Sequence, residues 1–89
     1  MYKAIKRINC NEAHYKFLIF PAQYVRETGI IKDKILVEIN GEKVLLNFNL
    51  NMKKLYGLSK WFKKYDIQVG DKVIFEKKPK IHLITLEKE

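Results

Sequence analysis

The chain has 89 residues, 47% of them apolar and 12% aromatic, and its 18 Lys and Arg outnumber its 10 Asp and Glu for a net charge of +8. A chain of this size buries roughly 60–65% of its unfolded surface, so a single domain over residues 1–89 with one packed core is expected and a disordered chain is excluded. No apolar run approaches the roughly 20 residues of a membrane span, and the only cysteine, Cys10, leaves no internal disulfide.

In chain order, Met1–Ile8 mixes Tyr2, Ile5 and Ile8 with Lys3, Lys6 and Arg7 and reads as an edge-like strand. Asn9–Lys16 is polar and reads as a loop. Phe17–Phe20 is a short apolar strand, and Pro21 then suits the opening turn of a helix over Ala22–Thr28 because its missing N–H would be unpaired there. Gly29 supplies the left-handed cap. Lys34–Ile39 and Lys43–Asn49 form a hairpin about Asn40-Gly41, the strongest turn signal in the chain.

Asn51–Lys54 is a basic loop, and Leu55-Tyr56 begins another short pairing segment. Ser59 is the expected N-cap of a helix over Lys60–Tyr65, with Leu58, Phe62 and Tyr65 on one face and Trp61 beside them. Val69-Gly70-Asp71 turns the chain into the last strands, Lys72–Lys77 and Ile81–Leu86, joined through Lys78-Pro79-Lys80. Glu87-Lys88-Glu89 reads as a solvated tail.

Two segments share one order of elements. Pro21–Phe48 and Leu58–Leu86 each run helix, strand, turn, strand, with Ile30, Asp33, Lys34 and Ile35 matching Ile67, Asp71, Lys72 and Val73. The expectation is an α+β, mainly β, seven-stranded open pseudobarrel with two short helices and an internal pseudo-twofold repeat, interlocked so as to remove free sheet edges.

The block GLSKWFKKYDIQVGDKVIFE, through Gly57, Trp61, Phe62, Ile67, Gly70, Asp71 and Phe75, resembles the B3-type DNA-binding domain of plant transcription factors and restriction-endonuclease recognition domains. KFLIFPAQY is similar to that family's strand-Pro-helix opening, Lys34–Phe48 to its central hairpin and Ile81–Leu86 to its closing strand. The resemblance implies DNA contacts from two arms in the major groove. One arm matches Arg7–Lys16, with Arg7, Asn9, Asn11, His14 and Lys16, and the other matches Asn47–Lys54, with Asn47, Asn49, Asn51, Lys53 and Lys54. Asn can bond adenine and Arg guanine in bidentate fashion, while Lys neutralises phosphate. This chain departs from the pattern in being shorter and in separating Gly57 from Trp61. PAQYVRETGIIKDKILVEI also resembles the AbrB-type swapped-hairpin units, and double-psi barrels, which bind proteins, share the pattern.

Other chemistries are poorly served. Cys10 and His14, with Glu12 between, could be pictured as metal ligands, but zinc takes about four and only His82, inside an expected strand, could add a nitrogen. The single serine, Ser59, serves better as a helix cap than as a nucleophile, Cys10 with His14 lacks a third orienting group, and there is no glycine-rich phosphate loop, so neither an enzyme nor a cofactor is expected. Trp61, Phe62, Tyr65 and Phe75 could stack on bases, yet at helical spacing beside Leu58 they read better as core. Lys60, Lys63 and Lys64 form either a solvated face or a phosphate-facing flank to the arms.

The expected function is double-stranded DNA binding with sequence preference, as a transcription regulator or as a recognition module whose nuclease lies on another chain. The alternative is a protein-interaction barrel whose positive charge is incidental. Without a membrane span or signal-peptide pattern, and with a lone thiol, the expected location is cytoplasmic, nucleoid-associated in a prokaryote.

Overall fold

In a computed structural model describing residues 2–89, the chain forms seven strands and three helices. The strands are β1 (Lys3–Arg7), β2 (Leu18–Ile19), β3 (Lys34–Ile39), β4 (Glu42–Asn49), β5 (Lys54–Leu55), β6 (Lys72–Lys77) and β7 (His82–Glu87). The helices are α1 (Cys10–Tyr15), α2 (Ala22–Thr28) and α3 (Ser59–Lys64). The sheet runs β1-β6-β7-β3-β4-β5-β2 and curls into a half-barrel. Every neighbouring pair is antiparallel except β3 with β7, which are parallel. Met1, assigned to the first strand from sequence, lies outside the described residues. No helix of the described residues is long and apolar enough to cross a membrane.

The pseudobarrel is as expected, with three corrections. The first is a third helix: Asn9–Lys16 is helical, not a loop. The Asn9 side chain accepts the Glu12 N–H at 2.8 Å while Glu12 accepts the Asn9 N–H at 2.9 Å, the reciprocal capping box that starts a helix. The second concerns α3, which starts one residue earlier than expected. Leu58 is its N-cap and no side chain caps it, so Ser59 is the first helical residue and not the cap. The third is the tail: Glu87 belongs to β7, and Lys88 and Glu89, exposed as expected, are tied to the domain. Glu89 N–H donates to Asp71 Oδ1 at 3.1 Å, Lys88 Nζ lies 2.9 Å from Asp71 Oδ2, and Arg7 pairs with Glu89.

The two helix–hairpin units recur in order, but their pairing is not reciprocal. A twofold axis would match the β3–β7 ladder with one between β6 and β4, whereas β6 pairs with β1 and β4 with β5. The sheet therefore ends at β1 and β2. One buried carboxylate joins these ends. Glu12, fully buried, accepts from Lys6 Nζ on β1 at 2.5 Å and from the Ile19 N–H on β2 at 2.7 Å. An ion pair and a backbone bond thus stand where a closing ladder would run.

The inward faces alternate as a half-buried sheet requires: Ile35, Val37 and Ile39 of β3, Val73 and Phe75 of β6, and Ile84 and Leu86 of β7 are buried. Phe20 is the hub, with its ring centroid 4.9 Å from those of both Phe48 and Phe75. Leu58, Trp61, Phe62 and Ile67 join the same core, so Trp61, Phe62 and Phe75 are closed to bases. Within it, Tyr24 Oη and His82 Nδ1 share a 2.8 Å hydrogen bond. Burial, with Lys77 adding to it, pushes the His82 imidazole down to about 4. Burial, with Glu76 adding to it, holds the Tyr24 hydroxyl well above its usual range.

Candidate nucleic-acid interface

The two polar segments singled out from sequence meet at a run of aromatic rings. Lys16 caps α1 in the left-handed conformation (φ 60°), with its N–H 2.8 Å from Glu12 O, and this turn sends the chain into β2. The rings of Tyr15 and Phe17, on either side of Lys16, stack at 6.2 Å with only 7° between their planes. Phe17 in turn meets Tyr56 edge-on at 6.2 Å, just beyond β5. Lys54 of β5 lays its ammonium 4.5 Å from the Phe17 centroid. The segment after β1 and the segment between β4 and β5 thus share a border.

Each arm is held rigidly from beneath. The buried Glu12 anchors α1 as described. In the second arm, Asn49 Oδ1 accepts the Met52 N–H at 2.9 Å, Lys53 takes a positive φ of 57°, and Lys53 O accepts the Phe20 N–H at 2.7 Å. Above these supports Tyr15 is 66% and Tyr56 38% exposed, and His14 lies edge-on to Tyr15 at 4.5 Å. The arrangement offers planar rings, exposed amides and ammonium groups on one surface, which suits phosphates and base edges.

The candidate residues divide by what their side chains already do. Asn11, His14, Asn47 and Asn51 are exposed, and Lys16 and Lys53 are partly exposed without an ion pair among the described residues. Asn9 is occupied as the cap of α1, and Asn49 spends its carbonyl on the loop. Arg7, about half exposed, pairs with Glu89 and lies 3.4 Å from Gly70 O.

The α3 lysines stand elsewhere. Lys60 pairs with Glu42, holding that carboxylate below its usual range through their hydrogen bond. Glu42 opens β4 and the second arm begins at Asn47, so about 17 Å of strand separates Lys60's partner from that arm. That is over half of the domain's 29 Å length. Lys63 and Lys64 are exposed, with Lys64 lying 5.5 Å from the Tyr65 ring.

Sequence reasoning missed Tyr15, Phe17 and Tyr56. The available signal was aromatic residues interleaved with His14, Lys16 and Lys54 in two polar segments. Among the described residues no group of three or more His, Cys, Asp or Glu side chains could hold a metal ion. His82 is buried and hydrogen-bonded to Tyr24, whereas Cys10 is exposed.

No family model matches the chain, and no curated protein matches it. Among solved structures, the chain is similar to the N-terminal domain of Helicobacter pylori LlaJI.R1, with a TM-score of 0.69 and 12% identity, over 98% of this chain and 88% of that one. At that identity the likeness is one of fold.

Proposed function

We propose that this chain is a double-stranded DNA-binding module that sets α1 and the β4–β5 loop against the major groove, with some preference for sequence. The observation that carries the reading is the shared border of the two arms. Lys54 over Phe17 joins them, His14 and Lys16 adjoin Tyr15, Asn47 O accepts the Tyr56 N–H, and Asn51 and Lys53 belong to the second arm, in a molecule of net charge +8. An α-helix such as α1 is about 10–12 Å across with its side chains, which matches the roughly 12 Å width of the groove. The resemblance to B3-type domains supports the same placement of arms. Lysines would fix the backbone register, and the exposed amides of Asn11, Asn47 and Asn51 would read base edges. The role is binding without catalysis in the cytoplasm, as a regulator or as the recognition part of a system whose nuclease is on another chain.

The test is selection from a randomised duplex pool at about 150 mM salt, where exposed charges are already screened beyond roughly 8 Å. An enriched motif supports the reading. Binding that is indifferent to sequence and vanishes with salt leaves only a basic surface and overturns the claim of preference.

A further inference from the structure

A groove of about 380 Å³ lies where the end of α2 meets the β3–β4 hairpin and the β6–β7 loop. Aliphatic side chains and lysines share its lining about evenly, and no acidic residue lines it. Leu36 and Leu45 face each other across the β3–β4 ladder and are 42% and 60% exposed, and Ile31 beside them is 80% exposed. Lys32, Lys34 and Lys80 also line the groove, and none has an ion pair among the described residues.

We infer that this groove docks a peptide segment of another protein in which apolar side chains alternate with Asp or Glu. Charge complementarity selects the acidic partner: the three free ammonium groups attract carboxylates and repel a second copy of this +8 chain. The exposed aliphatic side chains among the lysines select peptide over nucleic acid. A phosphate backbone satisfies the lysines but leaves Ile31, Leu36 and Leu45 facing a polar, hydrated partner, whereas protein–DNA interfaces are predominantly polar. Concavity selects peptide over a membrane, because a flat lipid surface cannot enter a groove between a hairpin and a loop. The volume falls within the roughly 300–1,000 Å³ of sites that hold a few side chains or a small ligand. The inference is independent of the DNA reading, although Lys34 pairs in register with Asn47 and so borders the second arm.

The probe is a short fluorescein-labelled peptide of Leu and Phe interspersed with Asp and Glu, followed by anisotropy. A control of equal charge replaces Leu and Phe by Ser. The peptide is expected to bind the intact chain saturably, and the control at least about tenfold more weakly. Leu36→Ser with Leu45→Ser, both exposed and so compatible with folding, is expected to weaken the peptide by at least about tenfold and leave the affinity for a DNA duplex unchanged. Lys34→Glu with Lys80→Glu is expected to abolish the salt-sensitive part of peptide binding. Failure of the peptide to bind, or equal binding of the control, overturns the inference. Equal weakening of peptide and duplex by the leucine variant assigns the groove to nucleic acid instead, and leucine-dependent binding of anionic vesicles without the peptide assigns it to a lipid surface.

Discussion

The Glu12 carboxylate accepts the Ile19 backbone N–H at 2.7 Å, and through it α1 is fastened to β2 at the open end of the sheet. The same oxygen takes the ammonium of Lys6 from β1, whose Nζ also lies 3.1 Å from Ile19 O. Removing the carboxylate strands two backbone donors and a partly buried cation. Glu12→Ala is therefore expected to lose about 3–5 kcal/mol of stability in urea unfolding, a large share of the roughly 5–15 kcal/mol of a typical domain. Glu12→Gln, which keeps one acceptor, should lose less. A loss under about 1 kcal/mol for the alanine variant would mean that Lys6 simply turns to water.

Asn40 does two jobs at the hairpin turn. Its φ of 48° places it in the left-handed region, and its side chain bridges to β7, accepting the Leu86 N–H at 2.8 Å and donating to Leu86 O at 3.2 Å. Asn40→Gly keeps the backbone freedom and loses the bridge, for an expected cost of about 1–2 kcal/mol. Asn40→Ala loses both and should cost about 1–2 kcal/mol more. Equal midpoints for the two variants in thermal or urea unfolding would show that the bridge carries the whole effect.

The buried Tyr24–His82 pair makes stability depend on pH. His82 titrates near 4 in the folded chain and near 6.5 when unfolded, so between those values the unfolded state binds the extra proton. Stability is fully present above about 6.5 and falls as the pH drops toward 4. Asp71 acts in a lower window. Burial opposes its ionisation, but hydrogen bonds from Lys88 and from the Gln68 and Glu89 N–H groups outweigh that and hold its pKa below the usual value. Its contribution is therefore present above the ordinary carboxylate range and lost below it. Urea midpoints measured from pH 7 to pH 4 should fall in the intact chain and fall less in His82→Gln. Parallel curves would remove His82 as the cause.

The two asparagines of the second arm should separate. Asn51 is exposed without a side-chain hydrogen bond to the described residues, so Asn51→Ala is expected to relax sequence preference with stability within about 0.5 kcal/mol. Asn49→Ala, which frees the Met52 N–H, should loosen the loop and weaken every duplex alike. Lys53→Ala should flatten the slope of log affinity against log salt by about 0.9 if its ammonium meets a phosphate. Affinities for selected and scrambled duplexes, read across salt, check all three. Identical behaviour of Asn49 and Asn51 variants would remove the distinction drawn from the loop geometry.

Local chemistry determined much of this protein from sequence. Pro21 and Gly29 bound α2, Asn40-Gly41 turns the central hairpin, Gly70-Asp71 precedes β6, and the apolar alternation of β3 identifies its inward face. Each rests on backbone sterics or side-chain period within a few residues, which any conformation of the chain must obey. One local signal was present but unread, the Asn9–Glu12 capping box that makes α1 a helix in a segment with the composition of a loop.

The tertiary structure decided what depends on distant partners. β1 beside β6 and β5 beside β4 break the twofold relation that the repeat suggested: each strand has room for only two neighbours, so the counterpart of the parallel β3–β7 ladder cannot form. Asn9 and Asn49 resemble base readers by residue type, yet a cap and a loop bond take up their side-chain oxygens, and Arg7 has the exposed Glu89 carboxylate beside it. Two aspartates matched in sequence also part company. Asp71 is buried and bound by three donors, while Asp33 is exposed. Residue type states which bonds a side chain can make, but the positions of partners dozens of residues away determine which bonds remain available to a ligand.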